Sequence, residues 1–143
     1  MDLCSGSGAI GIEALSRGSK KVFFVEKNMA CVKLIKKNLE ITKLDKRNNF
    51  KIICGDAREV VKNLAQQKIF FDIIFLDPPY KTNFAEDSVK QIISFNLLQD
   101  NGIIIIETDN IDKVISNLDS TIVNIYDSKK YGRVYLLFLN KII

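Results

Sequence analysis

Short apolar runs alternate with longer amphipathic segments along this chain, and that alternation restricts the fold more than any other feature. The runs lie at 22–25, 50–54, 71–76 and 103–106. They are rich in β-branched and aromatic residues, as expected of strands buried on both faces. Between them, 28–43 places Cys31, Val32, Ile35 and Leu39 on one helical face and Lys33, Lys36 and Lys37 on the other, with Asn28 positioned to cap the first turn. Segment 57–66 groups Val60, Val61 and Leu64, and 83–95 groups Val89, Ile92 and Ile93. Strands alternating with helices form βα units on a parallel sheet. The ending differs: 121–126 and 134–139 are strand-like runs joined by 127–133, which contains Gly132 and leaves no room for a helix. They are expected to pair as an antiparallel hairpin. The predicted fold is α/β: a doubly wound Rossmann-like sheet, mostly parallel, with a C-terminal antiparallel hairpin. Ligands on such sheets bind beyond the carboxyl ends of the strands.

The 143 residues suffice for one domain with its own core and not for two, so 1–143 is expected to form a single domain. No apolar run approaches the roughly 20 residues of a membrane span, and the start lacks the apolar stretch of a signal peptide. Cys4, Cys31 and Cys54 are odd in number and widely spaced, which points to reduced thiols in a cytoplasmic protein. Histidine is absent, which excludes Ser-His and Cys-His nucleophile pairs and removes the commonest metal ligand, so no metal site is expected. The net charge of +4, carried mainly by lysines in small clusters, suits a polyanionic partner but does not require one.

The first motif is the glycine loop. Gly6, Gly8 and Gly11 satisfy G-x-G-x-x-G, in which glycines permit a tight turn and close ligand approach ahead of a helix N-terminus. Glu26 follows Gly6 by 20 residues and ends the next strand, where a carboxylate can accept both hydroxyls of a ribose. A nicotinamide enzyme shares these features. Two others tilt the reading towards S-adenosylmethionine. Asp2 precedes the loop, where it would repel a pyrophosphate and attract a cationic amino-acid tail. Gly55-Asp56-Ala57 follows the third strand, where Asp56 can accept an adenine amine and the Ala57 N–H can reach the ring.

The second motif is Asp77-Pro78-Pro79-Tyr80 at the end of the fourth strand. Two successive prolines stop the strand and stiffen the turn. The Asp77 carboxylate and the Pro78 carbonyl thereby become two acceptors in set positions, with the Tyr80 ring beside them. An exocyclic amine of a nucleic-acid base has two N–H donors and a lone pair delocalised into its ring. Holding both hydrogens orients the nitrogen and exposes the lone pair to a methyl group, which is positioning and electrostatic work that needs no imidazole. Tyr80 can stack on the extruded base. The candidate catalytic residues are therefore Asp77, Pro78 and Tyr80. The candidate cofactor residues are Asp2, Gly6, Gly8, Glu26, Asp56 and Ala57, with Asp77 bordering the cofactor as well.

The stretches DLCSGSGAIGIEALSR (2–17), VEKN (25–28), GDA (55–57), DIIFLDPPY (72–80) and KKYG (129–132) resemble, in this order, the class I methyltransferases, and most closely the bacterial small-subunit ribosomal RNA guanine-N2 methyltransferases of the RsmD type. The resemblance implies a seven-stranded methyltransferase fold and S-adenosylmethionine as donor. It also implies the N2 amine of one guanine in ribosomal RNA, free or in an assembling small subunit, as acceptor. Such proteins carry a basic segment and the start of the first strand before the glycine loop, so a shortened first strand is expected at Met1-Asp2. The resemblance leaves Glu107, at the end of the fifth strand, either lining the base pocket or merely marking the strand's end. Arg133 can contact phosphate or solvent. The competing readings are a DNA adenine-N6 methyltransferase, a protein glutamine methyltransferase (a class that carries Asn where Asp77 stands), a nicotinamide-binding domain and a non-catalytic fragment.

Overall fold

The computed structural model describes residues 1–79 and 82–142. The elements run in chain order β1 (Asp2–Leu3), α1 (Ala9–Ser16), β2 (Val22–Glu26), α2 (Met29–Ile41), a 3-10 turn (Asp45–Arg47), β3 (Phe50–Cys54), α3 (Ala57–Gln66), β4 (Phe71–Leu76), α4 (Phe84–Ser94), β5 (Leu98–Thr108), α5 (Ile111–Asn117), β6 (Val123–Tyr131) and β7 (Val134–Lys141). They fall into two compact units, Met1–Val60 and Val61–Ile143.

In the first unit the strands lie in the order β3-β2-β1, all parallel, with Asp2 opposite Phe24 and Glu26 opposite Cys54. Phe24 is fully buried among Leu15, Val22, Ile35, Leu39 and Leu44 and meets Phe50 edge to face at 6.4 Å. Helix α2 begins where the sequence placed its cap: the Asn28 side chain accepts the Ala30 N–H at 2.9 Å.

In the second unit the order is β4-β5-β7-β6. Strands β4 and β5 are parallel, whereas β7 pairs antiparallel with both β5 and β6. Ile74, Leu76, Val89, Ile92, Ile104, Ile106, Leu137 and Leu139 form its core. The protein thus has the expected doubly wound Rossmann-like α/β architecture, mostly parallel with an antiparallel hairpin at the end. Two details correct the sequence reading. The hairpin loop is only Gly132-Arg133, because β6 continues through Lys130 and Tyr131 to pair with Val134. Among the described strands β6 pairs with β7 alone, and its polar residues Asp127 to Lys130 are exposed. Helix α5 was missed although Ile111, Val114, Ile115 and Leu118 have helical spacing; Val114 is its buried residue.

Candidate active site

In the first unit, the chain leaves β1 through backbone conformations that L residues seldom adopt: Cys4 at φ 68°, Gly6 at φ 53° and Gly8 at φ 79°. Ser5 fastens this loop to β2. Its hydroxyl donates to the Asp2 carbonyl at 2.7 Å and accepts the Val25 N–H at 3.0 Å. Glu26, at the end of β2, holds the loop from the other side. One carboxylate oxygen accepts the Gly6 N–H and the other the Asn28 N–H, both at 2.8 Å. Each oxygen keeps a further lone pair, so the carboxylate can still receive ligand hydroxyls. A Cβ built on Gly6 meets nothing within 4 Å, so the space before the loop is open to a ligand. Gly11 is closed instead: a Cβ there would collide with the Phe24 ring.

Asp56 stands at the start of α3. Its Oδ1 accepts the Arg58 N–H at 3.0 Å and Arg58 Nε at 3.3 Å. These bonds from Arg58 hold the carboxyl below the usual carboxylate range. The Gly55 N–H donates to the Glu26 carbonyl at 3.1 Å, which joins the Glu26 and Asp56 loops at one edge of the unit. Ala57 is buried behind them and heads the helix, where N–H groups lack intrahelical acceptors. Asp2 is held by the glycine loop itself. Its side chain is only 3% exposed, and its Oδ2 accepts the Gly11 N–H at 3.1 Å.

In the second unit, β4 pairs Leu76 with Ile106 on β5, so Asp77 follows β4 next in register to Glu107, which is still within β5. Asp77 remains accessible to solvent, but partial burial raises its carboxyl above the usual range, and the Glu107 charge adds to the effect. Pro78 is buried after Asp77. Thr82 ties the turn together: its hydroxyl donates to the Pro79 carbonyl at 3.3 Å, while its carbonyl accepts from Lys113 Nζ at 3.2 Å. Tyr80 lies outside the described residues. Behind the prolines is a cavity of about 10 Å³ whose walls include Pro78, Pro79, Glu86, Glu107, Thr108 and Lys113. Glu107, undecided from sequence, is thus a wall of this cavity. Glu86 was missed. It is 2% exposed, and neither carboxylate oxygen has a hydrogen-bond partner among the described residues. Its signal was an acidic residue three positions before Val89, on the apolar face of α4.

The chain matches the family described as Conserved hypothetical protein 95 over residues 1–140. It is 36% identical over 109 residues to the ribosomal RNA small subunit methyltransferase D of Haemophilus influenzae, covering 76% of this chain and 55% of that one. It is 33% identical over 145 residues to the protein of the same name from Buchnera aphidicola, covering 98% of this chain and 68% of that one. The chain belongs to the ribosomal RNA small subunit methyltransferase D family. A conserved hypothetical protein of Streptococcus pyogenes superposes with a TM-score of 0.82 at 29% identity, covering 97% of this chain and 82% of its own. The chain spans a little over half the length of the first curated relatives, 58% and 55%. Among the described residues no helix is long and apolar enough to cross a membrane, and no cluster of three His, Cys, Asp or Glu side chains could hold a metal ion.

Proposed function

We propose that this protein transfers a methyl group from S-adenosylmethionine to the exocyclic N2 amine of a guanine in small-subunit ribosomal RNA, acting in the cytoplasm on free RNA or an assembling subunit, and that 1–143 works as a single methyltransferase domain. The observation that carries the reading is the Asp77-Pro78 pair at the end of β4, beside Glu107 and with its carboxyl raised by partial burial. The names of the family relatives support the ribosomal substrate.

The residues of the first unit suit the donor. The open space at Gly6 admits its backbone contact, the spare lone pairs of Glu26 take the ribose hydroxyls, and Asp56 with the Ala57 N–H takes the adenine. Gly8 closes the loop, and Asp2, buried on Gly11, serves the donor by setting the loop's shape rather than by touching it. When bound, S-adenosylmethionine supplies an electrophilic methyl group on a sulfonium sulfur. Asp77 and the Pro78 carbonyl each accept one hydrogen of the guanine amine, which turns the nitrogen lone pair out of conjugation. Tyr80 supplies the stacking face. Once nitrogen has formed its fourth bond it must shed a proton, and a carboxylate raised by partial burial is a better acceptor for it than an unperturbed one.

The test is direct. The protein is incubated with isotopically labelled donor and either small ribosomal subunits, their naked RNA or duplex DNA, and the products are digested to nucleosides for mass spectrometry. N2-methylguanosine from the ribosomal samples is the expected product. N6-methyladenosine from duplex DNA would overturn the reading.

A further inference from the structure

Among the described residues of the second unit, Glu86 is an acidic side chain that is buried with neither oxygen hydrogen-bonded. A buried carboxylate is costly unless hydrogen-bonded. Glu86 occupies the first turn of α4, where the helix dipole favours a negative charge, but its oxygens make no bond to the free N–H groups there. Lys113 shares the cavity and could neutralise it, yet Lys113 Nζ donates to the Thr82 carbonyl at 3.2 Å. The cavity joins Glu86 to Pro78, whose carbonyl the reading above assigns to the acceptor amine. At about 10 Å³ it holds roughly one water, so a purine ring stays outside and only a single donor, or one water relaying it, can enter.

The two candidate bases differ at the atom beside the amine. Guanine presents N1–H, a donor, next to its 2-amino group; adenine presents N1, an acceptor, next to its 6-amino group. An ionised carboxylate only accepts. Resting on the guanine reading, we propose that Glu86 is the specificity-determining residue of the base pocket. Its carboxylate accepts the guanine N1–H, directly or through one cavity water, while Asp77 and Pro78 hold the neighbouring amine. The bond discriminates against adenine, because an acceptor facing the carboxylate leaves both groups unpaired. It also draws electron density from N1–H towards the amine nitrogen.

The decisive substrate is small-subunit RNA carrying 2-aminopurine at the modified position, which keeps the 2-amino group and replaces N1–H with an acceptor. The wild-type protein should prefer guanine by at least tenfold in kcat/KM. In Glu86→Gln, whose amide can donate as well as accept, the preference should fall to within about threefold through loss on guanine, with unchanged affinity for S-adenosylhomocysteine. A wild-type protein indifferent to 2-aminopurine overturns the proposal without need of any variant. So does a folded Glu86→Gln that keeps the wild-type preference. Normal N2-methylguanosine formation alongside either result leaves the guanine reading standing, whereas its absence from the wild-type reaction removes both.

Discussion

At the first unit's candidate site the carboxylates are engaged by their own chain, whereas Glu86 of the second unit has no hydrogen-bond partner among the described residues. Glu26 binds the Gly6 and Asn28 amides, Asp2 binds the Gly11 amide and Asp56 binds Arg58. In the second unit partial burial and Glu107 disfavour the charge on Asp77. The contrast follows from what each must meet. A donor made of hydroxyls, an adenine and an amino-acid tail needs a preformed surface, so the loop is fixed in advance and ligand bonds go to spare lone pairs. A base amine needs strong acceptors at the moment its hydrogens arrive, and an accessible carboxylate raised by partial burial serves that need.

Four substitutions test this division, in descending order of effect. Asp77→Ala should lower methyl transfer by at least about 100-fold, the usual scale for a lost proton-handling group, while calorimetry finds S-adenosylhomocysteine binding within a few-fold of wild type. Collapse of that binding would mean Asp77 belongs to the donor side. Glu26→Ala should weaken the same ligand by about 1–3 kcal/mol. It should also lower the melting temperature, because Gly6 and Asn28 lose their acceptor. Unchanged affinity would show that the carboxylate serves the loop alone. Gly11→Ala should cost about 1–3 kcal/mol in urea denaturation, the usual penalty of overpacking, as the new methyl is forced against Phe24.

The smallest effect concerns pH. A raised Asp77 pKa means that its protonated form suits the fold better. Its contribution to stability is therefore complete below the ordinary value of 3.8 and is lost as pH rises through the shifted one. At neutral pH Asp77→Asn should leave the melting temperature equal or slightly higher. Asp56 has the opposite sign: lowered by Arg58, it stabilises above 3.8 and loses that contribution in acid. A lower melting temperature for Asp77→Asn at neutral pH would count against the strained-carboxylate view of the second unit.

Much of this was legible in the sequence, and the reasons are specific. Strands β3 and β4 and helix α3 were read with their observed ends; the two strands stop at Gly55 and at Asp77-Pro78, and the helix begins after Asp56. The order of the hairpin was legible, but its extent was not, since a strand pairing on one side has no need of an apolar pattern. The glycine loop and Glu26 could be located because spacing encodes them. Their mutual bond could not, because sequence does not say which amide a carboxylate will choose. Asp2 was located, yet its inward turn onto Gly11 depends on packing against Phe24. Glu86 drew no reading, although its place three residues before Val89 on the apolar face of α4 sets it apart from exposed Asp87 beside it.

Strand β6 has a consequence of a different kind. Among the described strands it pairs with β7 alone at the end of the second unit's order, which leaves a row of backbone groups able to recruit another protein's strand. Two features blunt that hazard: an irregularity between Ile125 and Asp127, and the exposed Lys129 and Lys130 near its end. The same lysines that suit a polyanion are therefore guards against aggregation. Replacing both with alanine to probe RNA affinity also strips the strand of its protection, so lost activity in that variant should be read beside a light-scattering trace.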